Sequence, residues 1–326
     1  MRDDDKLLAG TGAEFGSGVI GVCDICGTRQ AVIVLEKERY KLCVIDFLNK
    51  TWLRSEKKPG APLSPYRSER IWYETEQTPS GRATAIQLVP TKPVRHPVVL
   101  IAPDTYGLTT TLLDAAIRFA KEGMEVLLPD VAKVDGIGMR QHFALRSSAR
   151  FRGGVSLEAP PVARLVRLYL DGLAYLRSRE MVDPARSAVF GTSYGASLAL
   201  GVAAQDVRLA AVALAYPVPV HPAKFPGLVN APLFVAHAGA DALSRKAVAQ
   251  FEAVRSSLQS PIEIVEFPGM RHDFLSRDLG AYDLGAAESA WDRILGFLKG
   301  ALLPAPPRPL PPPIRTAPPP SAAAAP

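Results

Sequence analysis

Five residues restrict this chain more than any others: Gly191-Thr192-Ser193-Tyr194-Gly195. They follow a short apolar run, Ser187-Ala188-Val189-Phe190, and precede a helix-forming one, Ala196-Ser197-Leu198-Ala199-Leu200. A G-x-S-x-G pentapeptide between a strand and a helix is the pattern of a nucleophile elbow. A serine hydroxyl is a weak nucleophile, so a base must take its proton and the fold must push it clear of the main chain. A strand turning sharply into a helix achieves the second, and the flanking glycines leave room for the crowded backbone. The pentapeptide therefore sets a condition on the rest of the chain, which must supply a histidine base and a carboxylic acid to orient it.

That condition can be searched. The expected chain order is Ser, then Asp or Glu, then His. Only His221, His237 and His272 follow Ser193. His272 lies in a short loop directly after the apolar run Ile262–Phe267, where the base belongs. His237 closes another apolar run but is followed by Ala238-Gly239-Ala240-Asp241, so that strand-loop unit supplies the acid instead. His221 sits among prolines without such a context. The candidate set is Ser193, Asp241 and His272. An aspartate just after a strand also suits a helix N-cap, and a loop histidine also suits the surface. The agreement of chain order and strand-end placement is what favours the reactive reading.

The surrounding pattern is strands alternating with helices. Ala83–Leu88, Val98–Ala102, Glu125–Leu128, Ala188–Phe190, Leu209–Leu214, Leu233–His237 and Ile262–Phe267 read as strands. Leu112–Glu122, stopped by Gly123, Pro161–Ser178 and Ala286–Leu298 read as helices. This predicts the α/β class, a mainly parallel sheet with helices on both faces and reactive groups at the carboxyl ends of the strands.

The chain divides by composition into a loose segment 1–18, a cysteine-bearing module 19–60, an α/β domain 68–300 and a tail 301–326. The tail holds 11 of the 30 prolines and little bulky apolar material, so a disordered, partly polyproline segment is expected. Charge is modest at +6 without long basic runs, so no nucleic-acid partner is expected. No apolar run reaches membrane length and no signal-peptide core follows the polar start, so the expected setting is the cytoplasm, with no membrane partner.

All three cysteines lie between residues 23 and 43. Cys23-Asp24-Ile25-Cys26-Gly27 is a C-x-x-C knuckle. Gln30–Leu35 and Tyr40–Cys43 alternate as two strands around Glu36–Arg39, and a helix is expected from Cys43 to Trp52. This is the layout of a zinc ribbon or treble clef, with Cys23, Cys26, Cys43 and Asp46 as ligands. Asp46 stands where a fourth cysteine is usual, so a degenerate module without metal is the alternative. A metal here would be structural. Ten Lys/Arg against nine Asp/Glu in residues 1–60 favour a protein partner for this module over a nucleic acid. The proline-rich tail is a second candidate docking element.

From Val98 to the closing helix the chain resembles the dienelactone hydrolase family of α/β-hydrolases. The resemblance rests on Val189–Ala196, on Leu100-Ile101-Ala102-Pro103-Asp104-Thr105-Tyr106-Gly107-Leu108, on Leu128-Pro129-Asp130 and on the loops carrying Asp241 and His272. It implies an ester or lactone hydrolase that needs no cofactor for catalysis and acts on a small-molecule substrate. It also implies an oxyanion hole made by the backbone N–H groups of Tyr194 and Thr105. Members acting on dienelactone usually carry cysteine at the position of Ser193 and glutamate at that of Asp104. A thiol becomes a thiolate by a modest pKa change, whereas an alcohol depends on its base during attack. The departures therefore point to a broader ester or lactone hydrolase, with Asp104 in a supporting role. The segment 132–160 carries Lys133, Arg140, Arg146, Arg150 and Arg152 against Asp135 and Glu158. The resemblance suggests that Arg150 or Arg152 binds a substrate carboxylate; a solvated loop is the plainer alternative. A non-catalytic scaffold that recruits partners through the cysteine module and tail is the rival function.

Overall fold

The computed structural model describes residues 65–103, 108–131, 154–223, 225–277 and 280–303, with the backbone of five short strands between Ala13 and Leu42. Its centre is an eight-stranded sheet. In chain order the strands are β1 Tyr66–Glu74, β2 Arg82–Pro90, β3 His96–Ala102 and β4 Glu125–Pro129. They continue with β5 Val182–Thr192, β6 Ala211–Ala215, β7 Leu233–Ala238 and β8 Ile262–Phe267. The spatial order is β8-β7-β6-β5-β3-β4-β2-β1. β2 runs antiparallel to both of its neighbours, and every other pairing in the sheet is parallel.

Among the described residues five helices cover this sheet: α1 Thr110–Lys121, α2 Pro160–Arg177, α3 Ser193–Ala203, α4 Ala242–Val254 and α5 Leu284–Leu302. The central runs Val98–Ala102 of β3 and Ala211–Ala215 of β6 are apolar at every position because both of their faces are covered. In β3, Val99 and Ile101 face one core while Val98, Leu100 and Ala102 face the other. In β6, Ala211, Ala213 and Ala215 face the first and Val212 and Leu214 the second. The first core is closed by α1 and α5, the second by α2, α3 and α4. The period-two alternation of a strand thus feeds two separate cores. The first is anchored by Phe119, Phe190 and Trp291, with the Phe119 and Phe190 rings edge-to-face at 5.3 Å. Arg118 of α1 lies over Trp291 and forks onto Glu288 at 2.9 and 3.2 Å, tying α1 to α5.

The expected architecture is therefore present, with three local differences. β1 has no apolar signature in the sequence: Arg67, Glu69, Arg70 and Glu74 break its pattern, because it is an edge strand with solvated positions. β5 starts at Val182, well before the apolar run at Ala188, through a polar stretch where Arg186 pairs with Asp183 at 2.7 Å. The closing helix runs from Leu284 to Leu302. The helix stop at Gly123 agrees with its left-handed φ of +86°.

Near the N-terminus, Ile33–Leu35 pairs antiparallel with Tyr40–Leu42, and Leu35 lies opposite Tyr40. These two strands fall within the runs expected to pair, but Gln30–Ala31 pairs instead with Gly21–Val22 in a separate sheet, and residues 36–39 lie outside the described residues. Cys23, Cys26, Cys43 and Asp46 lie outside the described residues, as does the tail beyond Leu303. Among the described residues no cluster of His, Cys, Asp and Glu suits a metal, and no helix is long and apolar enough to cross a membrane.

Candidate active site

The end of β5 delivers Ser193 to the carboxyl edge of the sheet. Thr192 is the last strand residue and Ser193 the first of α3. The chain makes this reversal with Ser193 at φ +54°, a left-handed conformation uncommon outside glycine. α3 is buried along its whole length, between α2 and the sheet, so the elbow cannot relax by moving outward. Gly191 is required by close approach rather than by its dihedral. A Cβ there would sit 2.4 Å from the carbonyl oxygen of Gly195 and 2.5 Å from its carbonyl carbon. Backbone atoms cannot yield as side chains do. Gly191→Ala is expected to cost about 3 kcal/mol or more, the upper end of overpacking penalties. A thermal unfolding midpoint equal to that of the parent protein would contradict this.

The acid and the base come from the next two strand ends. β7 and β8 pair in register, with His237 opposite Glu266 and Ala238 opposite Phe267. Beyond the strands the two loops stay bonded. The N–H of Gly239 donates to the Phe267 carbonyl at 3.0 Å and that of Ala240 to the Met270 carbonyl at 2.9 Å. Gly239 permits this approach, since a Cβ there would lie 3.1 Å from the Phe267 carbonyl oxygen and 3.2 Å from Pro268 Cα, both backbone atoms. The loop carrying Asp241 is thereby held against the loop carrying His272.

Ser193 Oγ lies 2.7 Å from His272 Nε2, and His272 Nδ1 lies 2.6 Å from Asp241 Oδ2. Thus the three residues separated by 48 and 31 positions in sequence form one continuous hydrogen-bonded chain. Asp241 also caps α4: its Oδ1 accepts from the N–H of Leu243 and its Oδ2 from that of Ser244, each at 3.0 Å. The N-cap role and the histidine-orienting geometry coexist in one carboxylate. Burial alone would raise the Asp241 carboxyl. The hydrogen bond and charge of His272 and the two backbone N–H groups outweigh burial and hold it below the usual carboxylate range. Asp241 is therefore an anion at neutral pH, the state suited to accept from Nδ1–H and to stabilise an imidazolium.

Around this chain the walls are aromatic. The Tyr216 ring meets the His272 ring at 5.2 Å and that of Phe274 at 5.6 Å. The His272 side chain remains 20% exposed, so the reacting edge is reachable, while Ser193 is largely covered. Tyr194 follows Ser193 in the first turn of α3, where N–H groups point out of the helix end. Asp104, Thr105, Arg150 and Arg152 lie outside the described residues.

His237, the histidine at the end of β7, is buried and its Nδ1 lies 2.8 Å from Ser244 Oγ. Burial lowers its pKa. Arg245 acts in the same direction, against the opposing pull of Glu266 and Asp241. A neutral His237 beside the N-cap is a packing element of the acid loop. Two features escaped sequence reasoning: this His237–Ser244 pair, and Tyr216 against His272. Only the position of Tyr216 just past the apolar run of β6 hinted at the second.

A model described as the dienelactone hydrolase family matches residues 84–302. Among solved structures, a dienelactone hydrolase from Anabaena variabilis superposes with a TM-score of 0.55 at 16% identity, covering 73% of this chain and 100% of that one. An acetyl xylan esterase from Paenibacillus gives 0.55 at 17% identity, covering 78% and 93%. The thermophilic carboxylesterase EstE1, cloned from a metagenomic library, gives 0.54 at 18%, covering 80% and 98%. At these identities the structures establish the shared fold. No curated protein matches the chain at significance.

Proposed function

This chain belongs to the dienelactone hydrolase family, and from that premise we propose that it is a serine hydrolase of carboxylic esters or lactones, with Ser193, His272 and Asp241 as its triad. The observation that carries the reading is the unbroken hydrogen-bonded chain from Ser193 Oγ through both ring nitrogens of His272 to Asp241.

In the proposed reaction His272 Nε2 takes the Ser193 proton as Oγ bonds to the substrate carbonyl carbon. The carbonyl oxygen becomes an oxyanion, received by the N–H groups of Tyr194 and Thr105. Asp241 holds the imidazolium. The tetrahedral species collapses, the C–O bond to the leaving group breaks, and the Nε2 proton passes to the departing alkoxide. In a lactone that alkoxide stays attached to the acyl chain. Water then gives a proton to Nε2 as its oxygen bonds to the acyl carbon. The second tetrahedral species collapses, the C–Oγ bond breaks, and Nε2 returns its proton to Ser193 Oγ as the acid leaves. The sequence of steps needs no cofactor.

Reaction with a fluorophosphonate probe is the direct test. Stoichiometric labelling at Ser193 is expected, together with turnover of simple esters or lactones. A protein that neither labels nor turns over any such substrate would return the fold to a binding role. For substrate class, the arginines of residues 132–160 supply the experiment. If Arg150 or Arg152 receives a substrate carboxylate, its replacement by alanine lowers kcat/KM for an acidic ester by about 10- to 100-fold, the worth of a hydrogen bond to a charge. Activity on the neutral analogue stays near that of the parent. Equal effects on both esters would remove the arginines from substrate recognition.

A further inference from the structure

Among the described residues three non-glycine positions have a left-handed backbone: Ser193 at φ +54°, Tyr216 at +36° and Asp273 at +65°. All three surround one imidazole. Ser193 is hydrogen-bonded to His272, Asp273 is its chain neighbour, and Tyr216 packs its ring against it. Serine at an elbow and aspartate in a loop have familiar reasons to adopt this conformation. A tyrosine does not: for a bulky residue a positive φ is an outlier that persists only when its surroundings enforce it, and such residues gather at functional sites.

The surroundings of Tyr216 are specific. Its N–H donates to the Ala236 carbonyl at 2.7 Å, so its backbone is anchored to β7 just past the end of β6. Its side chain is fully buried. The ring contacts His272 at 5.2 Å with planes 65° apart and Phe274 at 5.6 Å with planes 63° apart. It therefore fills the bend made by His272, Asp273 and Phe274. Phe274 in turn rests on Phe267 of β8 at 5.2 Å. A chain continuing β6 in extended geometry would alternate its side chains across the sheet. The left-handed turn at Tyr216 instead sets its ring beneath the loop that carries the base.

We propose that Tyr216 is a positioning residue that fixes the imidazole plane of His272 through edge-to-face ring contact, coupling the rigid sheet to an otherwise loop-borne base. The inference rests on the reading of His272 as the base of Ser193. Asp241 holds only Nδ1, a single point about which a ring can tilt. Ser193 Oγ meets Nε2 at 2.7 Å, with Asp273 Oδ1 at 3.8 Å from the same nitrogen. These groups lie at the two nitrogens and leave the ring able to turn about the line joining them. The Tyr216 ring contact limits that turning and keeps Nε2 aimed at Ser193 Oγ.

The test compares Tyr216→Phe, which keeps the ring, with Tyr216→Leu, which removes it. Two quantities are read: steady-state kinetics on a neutral activated ester, and the far-downfield proton NMR signal of the His272 Nδ1–H bonded to Asp241. The leucine variant is expected to lose about 10- to 100-fold in kcat, the scale of a small misplacement of a reacting group, with KM little changed and the downfield signal broadened or lost. Phenylalanine restores both. Where the leucine variant does not fold, the adaptable side chain of Tyr216→Met takes its place. A ring-less variant with unaltered kcat and downfield signal overturns the proposal, as does a phenylalanine variant as impaired as the leucine one. The signal reports on the ring whether or not turnover occurs. A wild-type protein that neither labels nor hydrolyses thus defeats the hydrolase reading, while the NMR comparison still decides the role of Tyr216.

Discussion

Ser193→Ala is expected to abolish fluorophosphonate labelling and to reduce kcat on a neutral ester by a factor of about a thousand to a million. Its folding should be almost unaffected. Ser193 is small and buried, and among the described residues its Oγ bonds to the partly exposed imidazole of His272, so alanine leaves no large cavity and no deeply buried orphan there. That separation makes the result diagnostic. Lost labelling with a wild-type unfolding midpoint assigns Ser193 as the nucleophile. Undiminished labelling of the alanine variant would move the chemistry to another residue.

The second large effect is expected from Asp241→Asn. Asparagine is as good an N-cap as aspartate, so the bonds from Leu243 and Ser244 to the side-chain oxygens have a substitute and α4 keeps its start. What fails is the interaction with His272. An amide can turn only one oxygen toward its neighbours. That oxygen cannot serve the cap while also accepting from Nδ1–H, and an NH2 group facing Nδ1 favours the wrong tautomer. A loss of about ten-thousandfold in kcat is expected with little change in stability. Asp241→Ala would lose the cap as well, at about 1 kcal/mol. Equal activity of the asparagine variant and the parent would dismiss Asp241 as the orienting acid.

The pH dependence of stability distinguishes the same pair. The folded-state pKa of Asp241 is held below its unfolded value, which is about 3.9. Between those two values the unfolded chain binds the proton more readily. The contribution of Asp241 to stability is therefore complete above about pH 3.9 and disappears as pH falls through the lower folded value. Unfolding midpoints taken from neutral to acid pH should fall more steeply for the parent than for Asp241→Asn at the acid end.

Much of this site is legible along the chain because its chemistry imposes both residue type and order. A serine elbow demands a later acid and a still later histidine, and only three histidines follow Ser193. The apolar runs Val98–Ala102 and Ala211–Ala215 are equally plain, since burial on both faces leaves them no polar position. β1 is hidden for the opposite reason: one edge and part of its surface are solvated, and its charges resemble a loop. Tyr216 is hidden because its importance lies in a backbone dihedral and a ring contact, neither of which has a sequence signature. The sequence alternatives for Asp241, cap or acid, also dissolve in three dimensions. A carboxylate has two oxygens and several lone pairs, enough for two N–H groups and an imidazole together.

What the amino-acid order determines by itself is the alternation of strand and helix, the glycine that the elbow cannot do without, and the identity of the three groups that can share a proton. Those follow from local periodicity and from the fixed chemistry of side chains. Tertiary structure alone decides that these groups meet. The register of β7 against β8 and the two backbone bonds beyond it bring Asp241 within 2.6 Å of His272, and the elbow brings Ser193 within 2.7 Å of the other nitrogen. Hydrogen bonding of this kind depends on tenths of an ångström. Only the packed sheet, with both faces closed by helices and its strand ends tied together, holds distances to that tolerance.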